Sequence, residues 1–300
     1  MRKAAWVVRG CADAGRSAAH GRWTRGQPSV AVAGCLGLER LSQSADGSRF
    51  VTCGALGARI LILDLLSTGS LSSLSTRALL RAGAAFGIEP TAIRTALTRL
   101  KAEGRLAQAG RGHYAIGSRG EPLQQRILGW RRVLERRRPW RGDWLLAVAG
   151  PQERADRTVW RRTLRALGLE GFAEAETNVW VRPDNLAGGV QGMRQRLGEL
   201  EAAPSLLMIQ ARGLDEHRQA RFRRLWRARA LQQEHARLAR QLERSAAGLE
   251  GKTQAAAAAE TLTLGRRAVR EIMRDPLLPD ELCSPEALSR LIEAMLRYDR

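Results

Sequence analysis

Five side chains between residues 91 and 101 share a chemistry of recognition rather than catalysis. Thr91, Arg94, Thr95, Thr98 and Lys101 are spaced so that a helix through them carries hydroxyls and long cations along one side. Such groups suit acceptors on base edges and phosphate oxygens. The interleaved Ile93, Ala96, Leu97 and Leu100 follow the i, i+3, i+4, i+7 spacing of a core-facing stripe. A further cation, Arg111, stands in Gly110-Arg111-Gly112 between the runs Leu106-Ala107-Gln108 and Tyr114-Ala115-Ile116. That pattern predicts a hairpin tipped by an arginine. His113 reads as a surface residue of the hairpin. The plainer reading of the whole pattern is an amphipathic helical unit with a solvated polar face.

Groups that would do covalent or metal chemistry are not assembled. The cysteines stand at 11, 35, 53 and 283, with no CxxC or Cys/His spacing of a zinc site. The four histidines are scattered, and no Ser/His/Asp or Cys/His set has a convincing context. No catalytic residue, metal or cofactor is therefore expected. Isolated cysteines fit a reduced, intracellular and here cytoplasmic chain. No apolar run reaches the ~18–20 residues that span a bilayer.

The elements that must position the polar face can be read around it. Residues 58–68 form a first helix with apolar positions 60, 61, 63, 65 and 66, closed by Gly69. Residues 76–86 form a second, with Leu79, Leu80 and Phe86 inward and Ser75 as N-cap. Gly87 turns the chain, Glu89 and Pro90 open the third helix, and Gly104 closes it. Three helices followed by a hairpin make a winged helix-turn-helix plan.

Net charge is +20, and its placement matters more than its sum. Residues 54–120 hold 9 basic and 3 acidic groups and residues 121–141 hold 7 and 2, so +11 falls in 88 residues. Residues 142–213 balance at 9 and 9. A basic surface beside a helix-turn-helix is the footprint of a phosphate-backbone partner. The neutral segment is not. Lysines are only Lys3, Lys101 and Lys252; an arginine bias with Ala and Gly richness also reflects a GC-rich genome.

An α+β chain in five parts follows. Residues 1–53, Arg-, Gly- and Ser-rich without periodicity, read as a disordered extension, a transit-like segment, or the product of a start placed too far upstream, with Val30, Val32 or Val51 as alternative starts. Residues 54–120 are the winged helix-turn-helix. Residues 121–141 read as a basic linker helix ending at Pro139, whose Arg131, Arg132 and Arg136 to Arg138 either touch flanking phosphates or are simply solvated. Residues 142–213 alternate as βαββαβ, the ferredoxin-like plan. Residues 214–300 are helical: a long charged helix over 214–247, another over 253–274, a break at Asp275-Pro276-Leu277-Leu278-Pro279, and a last helix capped by Ser284.

On these motifs the chain resembles the PaaX-type transcriptional repressors of phenylacetic acid catabolism. EPTAIRTALTRLKAEGRL with its GRGHY wing, NVWVRPDNL and RDPLLPDEL stand in that family's order over roughly residues 58 to 298. The resemblance implies a dimeric repressor on palindromic operator DNA, released by an aryl-CoA thioester such as phenylacetyl-CoA. It carries the DNA-reading role onto Arg94, Thr95, Thr98 and Arg111. The wing departs from the family's pattern at Gly112-His113, where bulkier polar residues are common. The resemblance assigns no effector-binding residue. Arg182 and the Arg274/Asp275 segment are candidates that turn and ion-pair roles explain equally well.

Two other readings compete. A metal-dependent nuclease on the ferredoxin-like domain needs an acidic ligand at the end of its first strand. Here the strand ends Ala149-Gly150-Pro151, with Asp143 before it instead. A ligand-independent DNA-binding protein would lack the effector altogether.

Overall fold

The computed structural model describes residues 57–67 and 72–299. The reading of residues 1–53 and the helix stop at Gly69 lie outside the described residues. The described chain is α+β with two small antiparallel sheets. It divides into two compact units. Of the described residues, the first contains 57–67 and 72–128 with 242–270 and 296–299. The second contains 129–241 with 271–295.

In the first unit, helices α1 (Ala58–Ser67), α2 (Thr76–Ala85) and α3 (Pro90–Ala102) precede strands β2 (Leu106–Gly110) and β3 (His113–Ile116). A two-residue strand β1 (Leu74–Ser75), too short to leave a periodic signal, pairs with β3 and gives the sheet order β1-β3-β2. Helix α4 (Glu121–Leu128) follows. The core is Leu61, Leu65, Leu79, Ile93, Leu97, Leu100 and Leu106, joined by Leu262 of helix α10 (Gln254–Arg274). The stripe expected inward on α3 is the buried set: Ile93, Ala96, Leu97 and Leu100. Ser75 caps α2 as its type predicts, accepting from the Ala78 amide at 3.1 Å. One member of α1 runs against its surroundings. Asp64 is fully buried, its Oδ2 3.5 Å from Arg266 Nε. Burial pushes its pKa well above the usual carboxylate range, and Arg266 pulls the other way.

The second unit is built on a sheet ordered β5-β6-β4-β7, from β4 (Trp144–Val148), β5 (Ala173–Glu176), β6 (Val179–Pro183) and β7 (Leu207–Ala211), with every neighbouring pair antiparallel. Between β4 and β5 the expected single helix is two. Helix α5 (Pro151–Ala155) stops at Asp156, which turns extended and caps α6 (Arg157–Leu169) by accepting from the Thr158 and Val159 amides at 2.7 and 3.1 Å. A short acceptor side chain competes with helix continuation and wins here. Helix α7 (Gly189–Glu199) lies between β6 and β7.

Two further helices differ from expectation. The linker over 121–138 is not one helix: after α4 it tightens into a 3-10 segment (Gly129–Arg136), with Arg132 off helical geometry. Gly129 weakens the helix there, and the kink accompanies burial of Trp130 and Val133. The helix expected over 214–247 is α8 (Glu216–Arg223) and α9 (Ala228–Gly248). The chain breaks between them where Trp226 donates to the Gly171 carbonyl at 3.2 Å and stacks on Trp144. Trp144, fully buried, is also met edge-on by Trp140 and Phe222 at 5.2 and 5.3 Å. The last helix, α11 (Glu286–Tyr298), follows Ser284, whose hydroxyl accepts from the Glu286 amide.

Candidate nucleic-acid interface

Helix α3 is fixed from its apolar side, which leaves the other side for contact. Thr91, Arg94, Thr95, Thr98 and Lys101 are all exposed, and Arg111 is exposed at the turn between β2 and β3. The structure thus brings five of the six residues onto one helix and puts the sixth at the hairpin tip. The Thr98 hydroxyl donates to the Arg94 carbonyl at 3.1 Å, so its lone pairs face outward while its proton is engaged. Lys101 Nζ donates to Gln108 Oε1 at 2.8 Å. Gln108 is an uncharged acceptor, so this bond holds the ammonium in place without pairing it to an acid. Among the described residues, Arg94, Arg99 and Arg111 have no carboxylate partner.

The hairpin is tied down by residues the spacing of charges did not single out. The Gly112 carbonyl accepts from the Thr76 amide at 2.7 Å and from its hydroxyl at 3.0 Å. Gly112 has φ +72°, a conformation that favours glycine, so the residue that departs from the family pattern is also the one this turn requires. Thr76 opens α2, and its two bonds anchor the turn beside Arg111. At the other end of α3, Glu103 forms paired 2.6 Å bonds with Arg59 of α1. Those bonds hold the Glu103 carboxyl below the usual range. Only an outward phase for Gln108 on its strand, and an acid at the close of a basic helix for Glu103, hinted at these roles in the sequence. His113 is exposed, its Nδ1 3.2 Å from the Arg111 carbonyl.

Arg182, one of two effector-contact candidates, is fully buried and saturated within the second unit. Its guanidinium donates to the carbonyls of Glu170, Pro183 and Pro276 and to Asn185 Oδ1. Asn185 donates in turn to the Leu277 carbonyl at 2.7 Å. Burial lowers the Arg182 pKa to about 9, and Glu170 opposes the shift. The second candidate segment is engaged as well. Asp275 lies 3.5 Å from His235 Nε2 and accepts from the Leu277 amide at 2.7 Å. Gly171 allows the Pro276 turn to close on it, because a Cβ there would stand 2.7 Å from Pro276 Cα. VRPDN and RDPLLP are thus two halves of one internal clasp.

At the strand that a nuclease would use, Asp143 accepts from Gln210 and Arg212 at 3.1 and 2.9 Å. Among the described residues no group of three or more His, Cys, Asp or Glu side chains is placed to hold a metal ion. No described helix is long and apolar enough to cross a membrane.

Residues 61–120 match the family model described as PaaX-like protein. That span runs from Leu61, the first buried residue of α1, to the residue before α4, so the family resemblance is found on the segment that carries α3 and Arg111. Among solved structures, the chain is similar to the uncharacterized protein Rv0674 from Mycobacterium tuberculosis. The identity is 26%, with 81% of this chain and 97% of that chain covered and a TM-score of 0.48. Comparison with the curated proteins gives no match.

Proposed function

We propose that this chain is a cytoplasmic DNA-binding transcriptional regulator and that α3 is its reading helix. In this reading residues 54–120 are a winged helix-turn-helix, with β2 and β3 as the wing, and residues 142–213 are a ferredoxin-like domain flanked by the linker (121–141) and the helices of 214–300. The single observation that carries the reading is the exposed set on α3, where guanidinium and ammonium groups without carboxylate partners alternate with hydroxyls over a buried apolar stripe. Arg94, Thr95 and Thr98 then meet base edges. Thr91, Lys101 and Arg111 meet phosphates or the neighbouring groove. The match of residues 61–120 to the PaaX-like family supports it.

The finer reading is a homodimeric repressor of an aromatic-acid, phenylacetate-type catabolic operon. Two reading helices about 34 Å apart enter successive major grooves of a palindromic operator. An aryl-CoA thioester favours a spacing that no longer fits, and it shifts the equilibrium only by its differential affinity for the two states. The test is release. A labelled duplex carrying the operator is bound by the full chain, and phenylacetyl-CoA is added. Loss of binding with the thioester, and none with free CoA, supports the repressor reading. Unchanged binding leaves the DNA reader and removes this effector.

A further inference from the structure

Three arginines before the turn between α8 and α9 are paired. Arg212, Arg218 and Arg221 hold Asp143, Asp215 and Glu176 at 2.9, 3.0 and 3.1 Å. At the turn itself the acids stop. Six arginines and no acid stand between Glu216 and Glu234. Arg223, Arg224, Arg227 and Arg229 are all exposed, and none has a carboxylate partner among the described residues.

The stretch is fixed from its apolar side. Phe222 is buried, and Leu225 and Trp226 pack with it around Trp144. Arg223 lies over Trp140, 5.3 Å from the ring centroid. Local structure accounts for part of the cluster. Arg221 and Arg223 fall in the last turn of α8, where cations complement the helix dipole. Arg227 and Arg229 stand at the opposite kind of end. They open α9, where the Arg227 carbonyl accepts from the Leu231 amide at 3.1 Å. The dipole opposes cations there, and the first turn of α9 holds no acid to offset them. Helix α6 also opens on an arginine, Arg157, but sets the Asp156 cap beside it. Two cations kept where the local rule disfavours them point to a use outside the fold.

We propose that Arg224, Arg227 and Arg229, with Arg223 beside them, form a further surface of this chain for the DNA backbone. Guanidinium forks match phosphate oxygens, and contacts to phosphate add affinity without reading sequence. A basic surface that binds lipid also offers apolar side chains for insertion. Here Phe222, Leu225 and Trp226 are committed to the core, which leaves charge alone on the outside. The inference takes DNA as the partner from the reading above, but not α3 as the reader of bases. The two fail in different measurements: that reading by equal binding of operator and unrelated duplex, this one by an unchanged salt slope on unrelated duplex.

The experiment measures the affinity of the full chain for a duplex of random sequence between about 50 and 200 mM salt. Arg224→Ala, Arg227→Ala and Arg229→Ala together are expected to make the salt slope shallower by about 2 to 3, at about 0.9 per phosphate contact. Across that range the variant then loses about 40-fold less affinity than the wild type. Its Tm is expected to hold or rise, since the cations removed oppose the dipole of α9. Lysine at the same three positions is expected to keep the wild-type slope. Removal of equal charge from α5 and α6, by Arg154→Ala, Arg157→Ala and Arg161→Ala, is expected to keep it as well. An unchanged slope in the first variant overturns the proposal. So does a loss of slope as large in the lysine variant or in the α5 and α6 variant. Binding of anionic lipid vesicles that the first variant loses, with its slope on DNA unchanged, would overturn it in favour of a membrane surface.

Discussion

Arginine does opposite work in the two units. Around the sheet of the second unit it is consumed. Arg136 and Arg196 share the buried Glu170 at 2.9 and 3.1 Å, Arg138 holds Asp184 at 2.6 Å, and Arg162, Arg212 and Arg221 each reach a carboxylate within 3.1 Å. On α3 and the hairpin, Arg94, Arg99 and Arg111 face solvent with no acid among the described residues to meet them. The same side chain is an internal fastener where carboxylates are supplied and a solvent-facing cation where they are withheld. Supply of acids, rather than abundance of arginine, separates the paired arginines from the solvent-facing ones here.

That comparison can be broken from either side. The largest effect belongs to a fastener. Arg182→Ala leaves the buried carbonyls of Glu170 and Pro276 and the Asn185 amide oxygen short of a donor. A loss of about 3–5 kcal/mol of stability is expected, as when one partner of a buried charged network is removed, read by denaturant unfolding. A loss within experimental error would mean the clasp is ornamental. Arg94→Ala, by contrast, should leave Tm untouched and cost about 1–3 kcal/mol of discrimination between operator and unrelated duplex. Unfolding of this variant would move Arg94 into the fastener class. Arg111→Ala is expected to weaken binding to all duplexes alike and lower the salt slope by about 1. A sequence-selective loss would place the hairpin tip on bases.

The smallest effect concerns an arginine of the first unit that is paired in the manner of the second, Arg59 with Glu103. Hydrogen bonding from Arg59 depresses the folded Glu103 pKa. Its stabilisation is therefore present above the unfolded carboxyl value, about 4.3, and is lost as pH falls through the lower folded value. Both side chains are about two-fifths exposed, so solvent screening keeps the contribution under about 1 kcal/mol. Arg59→Ala should lower stability by that amount at neutral pH, leave it nearly unchanged below the folded Glu103 value, and so flatten the acid limb of a stability-against-pH curve.

The polar face of α3 was legible because a helix separates its two sides by simple spacing. Ile93, Ala96, Leu97 and Leu100 are buried, and the residues between them are exposed. Ser75 as a cap and Gly112 as a turn residue were legible because each follows from local backbone geometry. The clasp was not, because Arg182 and Pro276 are 94 positions apart and their contact depends on tertiary packing. Nor was the break between α8 and α9. The sequence there is continuously helix-compatible, and the interruption follows from Trp226 docking on Trp144 and Gly171. Asp64 reads as an interruption of an apolar run, and only the fold supplies Arg266 beside it.

The most direct test of α3 as a reading helix is fluorescence anisotropy of the full chain on duplex DNA from upstream of its own gene. A scrambled duplex of equal length serves as control, at about 0.15 M salt, where surface attraction alone is screened within about 8 Å. The regulator reading predicts a preference of about 1000-fold or more for the upstream duplex, cut by roughly 5- to 150-fold in Arg94→Ala. Equal binding of both duplexes by the wild-type chain would contradict it, and the unpaired cations of α3 would then be a solvated face and nothing more.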